Sequence, residues 1–229
     1  MPRATSPSRR TAPSRWRRRP RRTARAAAPG AAASRWRSPR RSRSTRAAKA
    51  WKARQAQWAA LLEIQRSGKA PAVGVSNYGR HHLEEIAAAG LEMPAVNQIE
   101  LNPWSQKPDL IAHMRDQGIF PMAYSSLAPL STWRVEPGQD SAKTADTKRD
   151  DAVFSAMATK YGTTEAQLLL RWGIQKGYAV LPKSLNVAQM QQNLALAGFA
   201  IDAGDMAVLE GLDRGFGVAW SVGDPVGMK

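Results

Sequence analysis

Four short stretches hold most of the side chains in this chain that could do chemistry. They are Gly74-Val75-Ser76-Asn77-Tyr78, Val96-Asn97-Gln98-Ile99-Glu100-Leu101-Asn102-Pro103, Ala123-Tyr124-Ser125-Ser126-Leu127-Ala128 and Val180-Leu181-Pro182-Lys183-Ser184. Each begins as an apolar, strand-like run and ends in polar groups, so hydroxyls, amides, an aromatic and a cation fall at strand C-terminal ends. Nucleophilic and metal chemistry is poorly served. The absence of Cys excludes disulfides, thiolate metal sites and a Cys nucleophile. His81 and His82 are adjacent at a helix start, so they are expected to point to different faces and to be solvated. His113 stands within a helix at no ligand spacing. Ser76 and Ser126 have no neighbouring base, which argues against a Ser-His-Asp hydrolase, and Asp109 and Asp116 read as helix-face charges.

The elements that must position these groups follow from periodicity. Trp51, Trp58, Leu61, Leu62 and Gln65 fall near one helical face, with Gly68 where a C-terminal cap belongs. Pro71–Ser76 reads as a strand, then Leu83, Ile86 and Ala87 recur at helical spacing up to Gly90. Ala95–Leu101 is a second strand. Pro108 opens a helix with Leu110, Ile111 and Met114 inward and Gly118 at its end. Pro121–Ser125 is a third strand. A polar run from Ser131 to Asp151 follows, long enough to suggest a functional or mobile loop. Helical patterns resume with Val153, Phe154 and Met157, then Leu168, Leu169 and Trp172, ending at Gly177. Tyr178–Lys183 is a fourth strand. Asn186 can cap a helix carrying Met190, Leu194 and Ala197, and Asp202 a last one carrying Met206, Leu209 and Leu212.

Charge divides the chain into two parts. Residues 1–50 hold 16 Arg and one Lys and no Asp or Glu, whereas the remaining 179 residues are nearly neutral. The net charge of +16 therefore belongs to a tail, and a basic nucleic-acid-binding body is not indicated. The tail also lacks Leu, Ile, Val and Phe, so it cannot bury enough apolar surface to offset chain entropy. Residues 1–46 are expected to be a disordered Arg/Ala/Ser/Pro-rich segment, and 47–229 the folded part. Three readings of the tail stay open. It could be an arm that neutralises phosphates while Trp16 and Trp36 stack on bases. It could be a transit peptide, moving an otherwise cytoplasmic protein to a mitochondrion or plastid. Or it could be GC-rich DNA read out of frame. No apolar run approaches the roughly 18–20 residues of a membrane span, so no membrane partner is expected.

Four alternations of strand and helix imply parallel strands with right-handed crossovers. Four units are too few to close an eight-stranded barrel, and a half-barrel leaves one sheet face bare. Self-association through that face is one way to cover it. The order and spacing of the four stretches, with Leu169-Leu170-Arg171-Trp172 and Leu212-Asp213-Arg214, resemble the aldo-keto reductase family over roughly residues 48–217. The resemblance implies an α/β partial (β/α)8 barrel, about four units corresponding to strands five to eight. It also implies reduction of small-molecule aldehydes and ketones with NADPH or NADH.

Position by position, the resemblance implies that Ser76, Asn77 and Gln98 hold the nicotinamide carboxamide and that Tyr124 stacks on its ring. Ser125 and Leu127 fall near the pyrophosphate, Lys183 and Ser184 at the 2′-phosphate, and Asn193 at the adenine. Two departures stand out. Gln189 occupies a position where the family often has an Arg on the 2′-phosphate, which should weaken the preference for NADP over NAD, since Gln forms no charged fork. Gln192 replaces an adenine-contacting Glu. More seriously, the family's catalytic Asp, Tyr, Lys and His belong to strands one to four, and residues 1–47 contain none of these four types. No catalytic residue is therefore assigned. The chain is expected to keep the cofactor half and to be inactive alone. The alternative is a non-catalytic interaction protein with a basic nucleic-acid-binding arm. Trp220, near the C-terminus, is either part of a substrate wall or a packed aromatic.

Overall fold

The computed structural model describes residues 43–130, 151–217, 219–220 and 223–228. The chain divides into Met1–Arg40, which lies outside the described residues, and Arg41–Lys229. The loop expected from Ser131 likewise lies outside them up to residue 150. In order, the elements are α1 (Arg43–Arg66), β1 (Gly74–Ser76), α2 (Arg80–Ala88), β2 (Val96–Glu100), α3 (Pro108–Asp116) and β3 (Phe120–Tyr124). They continue with α4 (Asp151–Lys160), α5 (Glu165–Gln175), β4 (Ala179–Val180), α6 (Val187–Leu194) and α7 (Ala203–Glu210). Helix α1 opens at Arg43, upstream of the boundary at 47 that composition suggests.

The strands form one sheet in the order β1-β2-β3-β4, and every neighbouring pair is parallel. Its register separates two faces. Asn97 and Ile99 of β2 and Ala123 of β3 are buried on the helix side. There they join a core that includes Leu83, Met114, Phe154, Leu168, Leu169 and Trp172. The opposite face carries the rows Gly74–Val96–Phe120 and Ser76–Gln98–Met122–Ala179. None of these residues is buried, and Phe120 is 50% exposed. The bare face that a half-barrel entails is thus present among the described residues. A second cluster joins Trp58 and Leu62 of α1 to Ile86 of α2, and the Trp58 indole N–H donates to the Glu92 carbonyl at 2.8 Å.

The punctuation residues behave as their chemistry requires. Pro108 stands at the start of α3, where its missing N–H costs nothing. Thr164 caps α5 by accepting from the Gln167 N–H, and the Asn186 and Asp202 side chains cap α6 and α7 in the same way. Other expectations differ. Leu61 and Ala87 are exposed, because the buried faces of α1 and α2 are narrower than the periodic pattern. Helix α6 buries none of its residues, stops at Leu194, which is 84% exposed, and leaves Ala197 beyond its end.

His82 is a correction of chemistry as well as of place. It is buried, and its Nδ1 accepts the Gly79 N–H at 3.1 Å, reaching back over the start of α2 as a capping-box side chain does. The His81 and His82 rings do not diverge; their centroids lie 3.8 Å apart. Gly79 is needed at this corner, since a Cβ there would fall 2.2 Å from the Val226 carbonyl oxygen. Burial, then the charges of His81 and Arg54, pull the His82 imidazole down to about 4. An unfolded His ionises near 6.5, so between these values the unfolded chain binds more protons. Stability from this group is therefore complete above about 6.5 and drains away as the pH falls toward about 4. The urea midpoint should drop across that window, and His82→Gln should flatten the drop; an unchanged slope in the variant would refute the assignment.

Candidate functional site

Parallel strands deliver their C-terminal ends to one edge, and the first cluster of candidates is built there. The Gln98 carbonyl accepts both the Asn77 N–H (2.9 Å) and the Ser76 hydroxyl (3.0 Å), which binds the end of β1 to β2. Across the sheet, the Tyr124 hydroxyl donates to Asn77 Oδ1 at 2.8 Å. The Gln98 side-chain amide points along the bare face, its Nε2 3.3 Å from Met122 Sδ. Ser76, Asn77, Gln98 and Tyr124 are thus brought together on three adjacent strands. Asn77 and Ser125 both adopt left-handed backbone (φ 60° and 53°), a conformation that costs energy away from glycine and concentrates at functional turns.

Two buried asparagines hold those turns. Asn97 donates from Nδ2 to the Tyr78 carbonyl (2.7 Å) and accepts the Tyr78 N–H (3.3 Å), so it replaces a lost backbone partner on both sides. Asn102 donates to the Ser125 carbonyl at 3.3 Å, and its Oδ1 accepts the Trp104 N–H. Both were visible as motif letters, but nothing in the letters marks a support rather than a ligand. Leu127, expected at the pyrophosphate, is half-buried and packs on the core.

The second cluster follows β4. Lys183 is exposed and forms no ion pair among the described residues. The Ser184 hydroxyl donates to Gln189 Oε1 at 2.8 Å, and Ser184 Oγ accepts the Asn186 N–H at 3.0 Å. Gln189 is therefore beside Ser184. Asn193, one turn further along α6, is half-buried.

The described C-terminal residues lie over the same sheet edge. The buried Glu100 carboxylate accepts the Ala219 N–H at 3.0 and 3.1 Å. Lys107 Nζ, almost wholly buried, donates to Asp224 Oδ2 at 2.6 Å and to Ser105 Oγ at 2.8 Å. Trp220 is 44% exposed, yet its indole N–H donates to the Tyr124 hydroxyl at 2.7 Å. It is neither simply packed nor simply a wall. Burial pushes the Tyr124 phenol up to about 12, against the opposing hydrogen bond from Trp220.

The sequence motifs outside the edge act as fasteners. The Arg214 guanidinium sits 4.3 Å from the centre of the Trp104 ring, and Asp213 Oδ1 accepts the Gln106 N–H at 3.1 Å. Leu169, Leu170 and Trp172 are all core residues. Among the described residues, no group of three or more His, Asp or Glu could hold a metal ion, and no helix is long and apolar enough to cross a membrane.

Comparison with known proteins places the chain in a family. The profile of the aldo/keto reductase family matches residues 37–214, and the chain belongs to that family. Curated relatives include a probable NAD(P)H-dependent D-xylose reductase of Emericella nidulans, 35% identical over 161 residues, covering 70% of this chain and 50% of the relative. The NAD(P)H-dependent D-xylose reductase of Hypocrea jecorina is 36% identical over 159 residues, covering 69% and 48%. Among solved structures, an aldo-keto reductase of Bombyx mori in complex with NADP superposes with a TM-score of 0.61 at 30% identity, over 71% of this chain and 51% of that one. Gox0644 in its apo form gives 0.60 at 32% identity, over 75% and 57%. The chain thus spans about half the length of the curated relatives it matches.

Replacing Asn97 with Ala strips the Tyr78 peptide of both partners in a buried setting. The expected cost is about 1–3 kcal/mol of stability, read as a lower urea midpoint with an unchanged denaturant slope. A midpoint within error of the native chain would show that Asn97 does not support the turn.

Proposed function

We propose that the folded part of this chain is the nucleotide-holding portion of an NAD(P)H-dependent reductase of aldehydes and ketones, and that the 229-residue chain binds the cofactor without turning it over. The observation carrying this reading is the convergence of Ser76, Asn77, Gln98 and Tyr124 on one sheet edge, next to β4, which is followed within the next four residues by Lys183 and Ser184. The fit is chemical. Asn77 has spent Oδ1 on Tyr124, while its Nδ2 makes no hydrogen bond among the described residues, so a donor remains for a carboxamide oxygen. Lys183 keeps its ammonium in water, free for a phosphate dianion. The nicotinamide, when held, supplies the hydride; these residues supply its position.

Proton delivery is where the chain falls short. The Tyr124 hydroxyl is near the site, but its proton is directed at Asn77, and its acidity is moved the wrong way, up to about 12. A general acid is most effective near the working pH and contributes about 10²–10⁴-fold. Tyr161 is equally unsuited: its hydroxyl donates to Asp205 at 2.7 Å, far along the chain at the α4–α7 contact. The substrate class follows the family and the relatives, a small carbonyl compound.

Titration calorimetry with NADPH and NADH tests the reading. Binding of NADPH is expected, with no oxidation of it when a nitrobenzaldehyde is added. Lys183→Met should weaken NADPH about tenfold or more and leave NADH nearly unchanged, because a charge-assisted contact to phosphate is lost. Gln189→Arg should strengthen NADPH selectively. A native chain that binds neither nucleotide would sink the site assignment, and measurable turnover would sink the claim of inactivity.

A further inference from the structure

We propose that Trp220 is a positioning residue of the nucleotide site, acting through Tyr124 to fix which way the Asn77 amide faces; the inference rests on the reading of that site as nucleotide-holding. Three groups form a directed chain. The Trp220 indole N–H can only donate, and it donates to the Tyr124 oxygen at 2.7 Å. With its oxygen receiving that proton, the Tyr124 hydroxyl sends its own hydrogen onward to Asn77 Oδ1 at 2.8 Å. Asn77 is then left with oxygen inward and nitrogen outward. An amide by itself is nearly symmetrical in shape, and only its hydrogen-bonding partners decide its orientation. Because indole has no acceptor, it cannot take the Tyr124 hydrogen, which is left to Asn77 Oδ1.

Trp220 is itself held by more than this contact. Its neighbour Ala219 donates its N–H to the buried Glu100 carboxylate, and Gly217 donates to Asp224, which Lys107 anchors from beneath. The backbone at Asn77 is fixed as well, by the Gln98 carbonyl. Both ends of the relay are therefore pinned, and the middle member, Tyr124, is the aromatic ring of the site. The consequence is selectivity: the edge presents a donor, suited to a ligand that offers a carbonyl oxygen there.

The test uses the full 229-residue chain, the variants Trp220→Phe, Tyr124→Phe and the double variant, and two probes. NADPH engages the whole site, whereas adenosine 2′,5′-bisphosphate lacks the nicotinamide. Trp220→Phe keeps a ring and deletes the donor. It should weaken NADPH about five- to tenfold, the loss of one hydrogen bond, and leave the bisphosphate unchanged. In the Tyr124→Phe background the same change should have no further effect. Equal weakening of both probes, no effect on NADPH, or an undiminished effect without the Tyr124 hydroxyl would each overturn the inference. A ligand-free readout separates it from the site assignment. The side-chain amide resonances of Asn77 should shift in Trp220→Phe; if they stay put, the relay does not exist. If they shift but the native chain binds no nucleotide, the relay stands as structure while the nucleotide reading, and the positioning role with it, fails.

Discussion

Everything at the polar edge depends on strands that all run in the same direction. In a parallel sheet the C-terminal ends share one rim, so short polar tails from separate stretches of sequence meet without long-range design of each pair. One carbonyl shows how economical this is. Gln98 O accepts from both Ser76 and Asn77, and so it sets the end of β1, the left-handed turn after it, and the place from which Asn77 meets Tyr124. The buried side chains of Asn97 and Asn102 then stand in for backbone partners that the turns forgo, as buried peptide groups require.

The same parallelism creates the fold's main energetic weakness. Parallel strands are ordinarily covered on both faces. Here the helices cover one, where Ile99 and Ala123 are buried, and the other shows Phe120 at half exposure among neutral neighbours. Fully burying a side chain of that size is worth about 1.5–3 kcal/mol, so Phe120 at half exposure forgoes roughly half of that, against the 5–15 kcal/mol that typically separates folded from unfolded chains. The second cluster around Trp58 and the ion pair of Lys107 with Asp224 secure parts of the chain that the incomplete sheet cannot.

Much of this was legible in the residues. The four strands (the last found only at Ala179–Val180, shorter than Tyr178–Lys183), the capping roles of Asn186 and Asp202, and the start of α3 at Pro108 follow from local chemistry. The face of α6 was not legible, because Met190 and Leu194 have the spacing of a buried stripe but both stay exposed among the described residues. His82 misled for the opposite reason. Adjacency in sequence says nothing about a ring that folds back onto its own helix start. Trp220 was visible only as an aromatic. Its bond to Tyr124 crosses 96 positions, and no spacing rule connects residues so far apart.

At the end of the site proposed to meet a phosphate, one residue alters more than its own position. An Arg at position 189 would bring a charged fork; Gln189 brings a neutral acceptor, and it uses that acceptor on Ser184. The hydroxyl that could have turned toward a phosphate is thereby occupied from within. Lys183 remains as the charge, but a lone ammonium in water is a point attraction with no geometric demand. At the opposite end, Trp220, Tyr124 and Asn77 impose a defined donor direction. On the proposed nucleotide reading, orientation is therefore concentrated at the ring end, and the Lys183 end contributes mainly electrostatic attraction.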